Sequence, residues 1–283
     1  MSGRGPAIAL LRLLSSALPG DRLKTATYRA LVARPRKALR MAVTAFYRYD
    51  HVYEVLGAFR RQSGPGSVLE FGTSEGYSFV KLLYAVRYLG LEDRVTVHGF
   101  DSFEGLPPAR DARDQNVVRA GERWVQGQFK ADYQALHDYC AARSYNFRLH
   151  RGYFEATLTP DLIAELRETP PILVWIDCDY YSSARAVMER VLPVLPSGCV
   201  LYFDDFDLNY GSRLTGEARL VHEINHGAFG DDLELVLDTD LSWNSRRIYR
   251  FVRLDGSDVA ATHAGSADPP PPHRPRGNGS PLP

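Results

Sequence analysis

The stretch Val68-Leu69-Glu70-Phe71-Gly72-Thr73-Ser74-Glu75-Gly76 decides how this chain folds. An apolar run over 67–71 breaks into a loop of small residues, and an amphipathic stretch follows over 76–89. That order reads as strand, loop, helix. The same transition recurs downstream. Gly99-Phe100-Asp101-Ser102-Phe103-Glu104-Gly105-Leu106-Pro107 closes a strand over 94–100. Ile176-Asp177-Cys178-Asp179 and Phe203-Asp204-Asp205-Phe206 close apolar strands over 171–178 and 198–203. Each stretch lies at the C-terminal end of its strand, the edge where open α/β sheets bind ligands.

The rest of the chain fits that frame. A short strand is expected over 147–150, helices over 160–167, 182–194 and 214–226, and two final strands over 232–238 and 245–254. Continuous apolar strands alternating with amphipathic helices indicate an α/β fold: a doubly wound, mostly parallel, Rossmann-like sheet covered on both faces. The last two strands are expected to add an antiparallel edge. The main domain is set at 61–255. Residues 1–60 read as a helical cap, rich in aromatics over 42–59, packed on the core, on a second subunit of a homo-oligomer, or over the site as a lid. Residues 256–283, with Pro269-Pro270-Pro271-Pro272, cannot build a core and are expected to be a disordered tail.

Composition narrows the function. The 283 residues are 45% hydrophobic and 24% charged, an ordinary soluble balance. Net charge is zero, so no global field recruits nucleic acid. Residues 1–40 hold nine Lys or Arg against one Asp, but basic and apolar residues do not separate into two faces, which disfavours a membrane-surface helix. No apolar run is long enough to span a bilayer, and Arg12 interrupts the one stretch resembling a signal segment. The three cysteines lack a disulfide or CxxC spacing, which fits a reducing cytoplasm.

The loop Glu70-x-Gly72-x-Ser74-x-Gly76 uses small residues where backbone approaches a ligand. Its glycine spacing is not the dinucleotide G-x-G-x-x-G. Glu70 and Glu75 would repel a phosphate at the helix N-terminus but welcome an amino group and a positive sulfonium. S-adenosylmethionine carries both. Asp101 can accept two ribose hydroxyls, and the turn starting at Ser102 can wall the adenosine; the blander alternative is a strand-ending Asp that caps its turn.

Asp177, Asp179, Asp204 and Asp205 cluster at two adjacent strand ends. Converging carboxylates repel unless protonated or bound to a cation, and oxygen-only donors suit Mg2+, Mn2+ or Ca2+. The alternative is that Asp179 and Asp205 cap the helices that follow. His98 reads as a core residue. His222 and His226, four apart, read as a solvated face without a third ligand.

At this point the chain resembles a family. Glu70-Phe71-Gly72, the block Phe100 to Pro107, Gly152-Tyr153-Phe154-Glu155-Ala156-Thr157-Leu158, Asp177-Cys178-Asp179-Tyr180-Tyr181-Ser182-Ser183 and Phe203-Asp204-Asp205-Phe206 look like the macrocin O-methyltransferase family. The resemblance covers 65–254. It implies a class I S-adenosylmethionine-dependent fold and methyl transfer to a hydroxyl of a small molecule, such as a sugar of a natural product or glycoconjugate. It implies metal ligands at Asp177, Asp204 and Asp205, with Mg2+ or Mn2+ bound, and a general base at Asp179. Glu70, Gly72, Ser74, Gly76, Asp101 and Ser102 would hold the cofactor. Two other readings compete. A nucleotide-sugar or phosphoryl-transfer enzyme lacks its basic, Gly-rich phosphate cradle here. A non-catalytic binding module leaves the acidic cluster unused, and unused clustered carboxylates cost stability.

Overall fold

The computed structural model describes residues 49–114, 124–242 and 247–254. The expectations for 1–48 and for the tail from 255 lie outside the described residues.

The strands are Gly66–Phe71 (β1), Val95–Asp101 (β2), Phe147–Arg151 (β3), Pro171–Ile176 (β4), Val200–Phe203 (β5), Leu233–Leu237 (β6) and Arg247–Arg253 (β7). They form one sheet in the order β3-β2-β1-β4-β5-β7-β6. The first five pair in parallel; β7 runs antiparallel to both of its neighbours. The final two strands thus add the expected antiparallel edge, with β7 lying between β5 and β6. Burial explains the placement. β7 buries Ile248 on one face of the sheet and Tyr249 and Phe251 on the other. β6 buries Leu233 and Leu235 but exposes Glu234 and Val236, a pattern that suits an edge.

Helices cover both faces. Asp50–Phe59 (α1), Tyr77–Tyr88 (α2) and Tyr133–Ala141 (α3) pack on one side, around Val52, Leu56, Phe79, Leu82, Leu136, Val68 and Trp175. The short turn Phe154–Thr157 (α4) and helices Pro160–Glu168 (α5), Tyr181–Val191 (α6) and Gly216–Ile224 (α7) take the other, around Leu166, Val187, Met188, Leu220, Leu69, Val174 and Phe203. Each fully buried Leu or Phe contributes about 1.5–3 kcal/mol. The start of α5 follows from its sequence: the Thr159 hydroxyl accepts from Leu162 N–H, and Pro160 occupies the first turn. α1 packs in the same core as the sheet. No described helix is long and apolar enough to cross a membrane.

Candidate active site

Strand register builds the site. Phe71 of β1 pairs with Ile176 of β4, and Ile176 pairs with Phe203 of β5. The next residue on each chain is therefore aligned: Gly72, Asp177, Asp204. The ladder continues through them, since Asp177 N–H donates to Phe71 O (2.9 Å) and Asp204 N–H to Ile176 O (3.0 Å). At Gly72 a Cβ would stand 1.7 Å from the Asp177 carbonyl oxygen, and φ is +94°, so only glycine fits beneath Asp177.

Asp101, ending β2, ties two loops together. Its carboxylate accepts Ser74 N–H (2.8 Å) and Phe103 N–H (2.6 Å). Burial pushes its carboxyl above the ordinary range, opposed by those two backbone bonds. Asp101 therefore caps its turn, and its carboxylate retains further lone pairs after two hydrogen bonds. The following turn closes against the chain at 127–129. Leu106 N–H donates to Gln128 O and Gly127 N–H to Leu106 O (2.8 and 2.9 Å). Gly105 makes this approach feasible, since a Cβ there would lie 2.5 Å from the carbonyl oxygens of Gly127 and Gln128. This pairing places Phe129, whose backbone is left-handed at φ +63°, over Ser74.

Two cavities result. The first, about 280 Å³, runs past Gly72, Ser74, Asp101, Ser102, the 105–107 turn, Gly152-Tyr153-Phe154, Asp177 and Asp179. The second, about 450 Å³, is lined by Tyr49, Thr73, Glu75, Tyr77, Ser78, Lys130 and Asp204. Gly72, Ser74, Phe129 and Asp177 line both.

Carboxylate oxygens of Asp177, Asp204 and Asp205 lie within 4.8 Å of one another, the only such group of three or more among the described residues. An oxygen-only donor set this compact fits Mg2+ or Mn2+. Neighbouring groups orient it. Tyr202 O–H donates to Asp204 Oδ1 (2.5 Å), Asp179 N–H donates to Asp205 Oδ2 (3.1 Å), and Asp205 N–H donates to Glu217 Oε2 (3.0 Å). Asp179 sits at φ +63°. Burial, then the charges of Asp177, Asp204 and Asp101, push its carboxyl well above the usual range. Neither Asp179 nor Asp205 caps a helix. Ser182 N–H at the head of α6 is taken by Asp114 Oδ1 (2.7 Å), and α7 starts at Thr215 without a side-chain cap.

The other expected site residues are distributed differently. Ser74, Ser102 and Gly72 line the first cavity, but Glu70 is wholly buried beneath the loop and borders neither cavity. Gly76 heads α2 against Leu136 and faces an outer groove instead. His98 is buried and its Nδ1 lies 3.1 Å from His150 Nε2; burial drives the pair down to about 3 and about 4, so both rings are neutral near pH 7. His222 of α7 and His226, just past its end, have tilted rings with centroids 3.8 Å apart.

Three acids were not legible as site residues. Asp114 binds Arg110 N–H, Asp111 N–H and Ser182, fixing the 107–114 segment to α6. Glu217, in the first turn of α7, is buried under Asp205 with one oxygen lacking a hydrogen bond. Glu223 gathers Arg113, Arg185, Arg219 and the Tyr181 hydroxyl (3.2, 2.9, 2.7 and 2.6 Å). Only the i,i+4 pair with Arg219 has a sequence signal.

Glu70 yields a test of the site's electrostatics. Neither carboxyl oxygen makes a hydrogen bond, though the Ser78 and Thr73 hydroxyls lie near. Burial, with smaller pushes from Asp101 and Asp204, raises its carboxyl to about 8. The folded protein then keeps a proton that the unfolded chain releases near 4.5. Stability from this group is complete below that value and declines as pH climbs to about 8. Glu70→Gln removes the decline. In chelator, urea unfolding should find the variant gaining on the wild type by roughly 3–5 kcal/mol from pH 5 to 8. A constant difference would mean that Glu70 is ionised in the fold.

The reversed β7 and the strand order are those of the class I methyltransferase fold. Residues 69–206 match the family model for a methyltransferase domain, and every cavity element from β1 to the Asp204–Asp205 pair except Tyr49 falls inside that match. That segment is thus similar to a methyltransferase domain. Among solved structures it is similar to CalS11, a calicheamicin methyltransferase, with 21% identity, TM-score 0.55, 86% of this chain and 90% of that one covered. It is also similar to the O-methyltransferase NovP, with 16% identity, TM-score 0.53, 73% of this chain and 80% of that one covered. The comparison with curated proteins gives no match.

Proposed function

We propose that the chain is an S-adenosylmethionine-dependent O-methyltransferase that uses Mg2+ or Mn2+ and acts on a hydroxyl of a small molecule, such as a sugar of a natural product. The observation that carries this reading is the meeting of two cavities at Asp177, with three carboxylates gathered beside the junction. The similarity to CalS11, a calicheamicin methyltransferase, and to NovP, an O-methyltransferase, supports this reading. The macrocin O-methyltransferase resemblance points the same way.

The first cavity is assigned to the cofactor. Asp101 accepts the ribose hydroxyls, the 102–107 turn and Tyr153 wall the adenine, and Ser74 and the loop at Gly72 hold the methionine end. S-adenosylmethionine supplies an electrophilic methyl on a sulfonium, which suits a cavity edged by Asp101, Asp177 and Asp179. The second cavity is assigned to the acceptor. A divalent cation on Asp177, Asp204 and Asp205 supplies Lewis acidity and orientation for the hydroxyl. It also offsets the repulsion among these acids, two of which raise Asp179. Asp179 takes the hydroxyl proton as the oxygen–methyl bond forms and the sulfur–methyl bond breaks, with S-adenosylhomocysteine as the leaving thioether. Tyr202 and Glu217 hold Asp204 and Asp205 in place. Phe129 and Tyr49 shield the junction from water, and aligning donor and acceptor supplies much of the rate.

Methyl-labelled S-adenosylmethionine with a panel of glycosides checks the reaction type. The label is expected in an alkali-stable methyl ether. Label released by mild alkali would indicate a carboxyl acceptor and count against a hydroxyl one.

A further inference from the structure

The second cavity does not end at Lys130. Glu75, Tyr77 and Lys130 also border an outer groove of about 960 Å³, roughly twice the volume of the cavity it continues. The groove lies between the first turns of α2 and the length of α3. Its chemistry differs from that of the acid-rich junction. Lys81, Lys130 and Arg151 are matched by Glu75, Glu104 and Asp132. Two of those cations already share one partner, with Glu104 receiving Lys130 at 3.3 Å and Arg151 at 3.1 Å. A diphosphate would have to break these pairs. The aromatic groups point to a ligand of another kind. Tyr77 is 78% exposed and Tyr139 is 41% exposed, both on the groove wall, and Gln134, whose amide donates one hydrogen bond to Asp138 Oδ1 (2.7 Å), lies five residues before Tyr139 on α3 and also lines the groove. Solvated tyrosine faces beside an amide and carboxylates match a ligand with apolar C–H faces and hydroxyl edges.

We propose that this groove binds the sugar units next to the one that is methylated, so that the acceptor is a neutral oligosaccharide rather than a free monosaccharide or a nucleotide-sugar. The proposal rests on the O-methyltransferase reading, which places the reacting hydroxyl in the second cavity. The reacting sugar sits there, and its neighbour passes Tyr77 into the groove. Tyr139 offers the neighbour a stacking surface. The other face of that ring is covered by the Arg143 guanidinium at 3.5 Å, which fixes its orientation.

The test uses the full chain with S-adenosylhomocysteine and Mg2+ present. Saturation-transfer NMR and calorimetry measure binding of maltose, cellobiose and lactose, of glucose and galactose, and of UDP-glucose. At least one disaccharide is expected to bind tenfold or more tightly than its own monosaccharides, with saturation reaching both rings. Tyr139→Ala and Gln134→Ala should erase that gain and leave monosaccharide binding unchanged; Tyr139→Phe, which keeps the ring, should retain it. No gain for any disaccharide, or UDP-glucose binding more tightly than every neutral probe, overturns the proposal. So does a change of oligomeric state in Tyr139→Ala with sugar binding unaffected, which would assign the groove to a second copy of the chain. S-adenosylhomocysteine binding is measured first. If it binds and the disaccharides gain nothing, the groove assignment fails alone; if it does not bind, the methyltransferase reading fails with it.

Discussion

Asp179→Asn is expected to lower turnover by roughly 10²–10⁴-fold, the usual share of a general base. Cofactor and metal affinity should stay close to wild type. The substitution keeps the shape of the side chain and removes its basicity. The backbone tolerates it, because Asn accepts the left-handed conformation found at φ +63°. The N–H bond to Asp205 Oδ2 is a backbone bond and survives. Stability should not fall either. A helix cap would cost about 1 kcal/mol on removal, but Asp114 caps α6 and Asp179 does not. The variant instead loses a carboxyl that burial and three neighbouring acids make costly to ionise. Turnover, metal affinity and melting temperature measured on this one protein decide the matter. A near-wild-type rate removes Asp179 from the mechanism, and a lower melting temperature with a normal rate makes it structural.

Removing divalent cations is expected to abolish turnover, and Mg2+ or Mn2+ should restore it. The reasoning is electrostatic. Asp177, Asp204 and Asp205 hold oxygens within 4.8 Å of one another, with Glu217 buried directly behind. Carboxylates this close repel one another. A bound cation reverses the sign of that interaction and raises the melting temperature with its concentration. Asp204→Asn should lose both effects together, because it removes one charged ligand while its amide oxygen can still accept the Tyr202 hydroxyl. Full activity in excess EDTA would sink the metal assignment and leave the cofactor cavity standing.

The parallel sheet and the ends of its strands were legible from sequence because they depend on local signals. Apolar runs such as 171–176 and 200–203 end at residues that cannot continue a buried strand, and those residues are the site acids. Register between parallel strands then aligns Gly72, Asp177 and Asp204 without further information. What sequence did not reveal depends on contacts distant along the chain. β7 enters the sheet interior because both its faces are covered by other elements, which no window of its own sequence records. Asp114 acquires its role from Ser182, 68 residues away. Glu70 has the right chemistry for a cofactor ligand, but β1 turns its side chain into the helix-covered core, away from the loop's open side. Cys178 was expected inside β4; the strand stops at Ile176, and the thiol is buried in the turn, 3.6 Å from Phe71 O.

The central claim is that the cavity between Gly72, Asp101 and Asp179 binds S-adenosylmethionine. Calorimetric titration of S-adenosylhomocysteine into the Mg2+-loaded protein, and into Asp101→Ala, tests it most directly. One site is expected in the wild type. The variant should bind roughly ten- to a hundredfold more weakly, since a charged acceptor of two hydroxyls contributes about 1.5–3 kcal/mol and also ties the Ser74 and Phe103 loops. Absence of binding to the wild type, or equal affinity in the variant, would contradict the account.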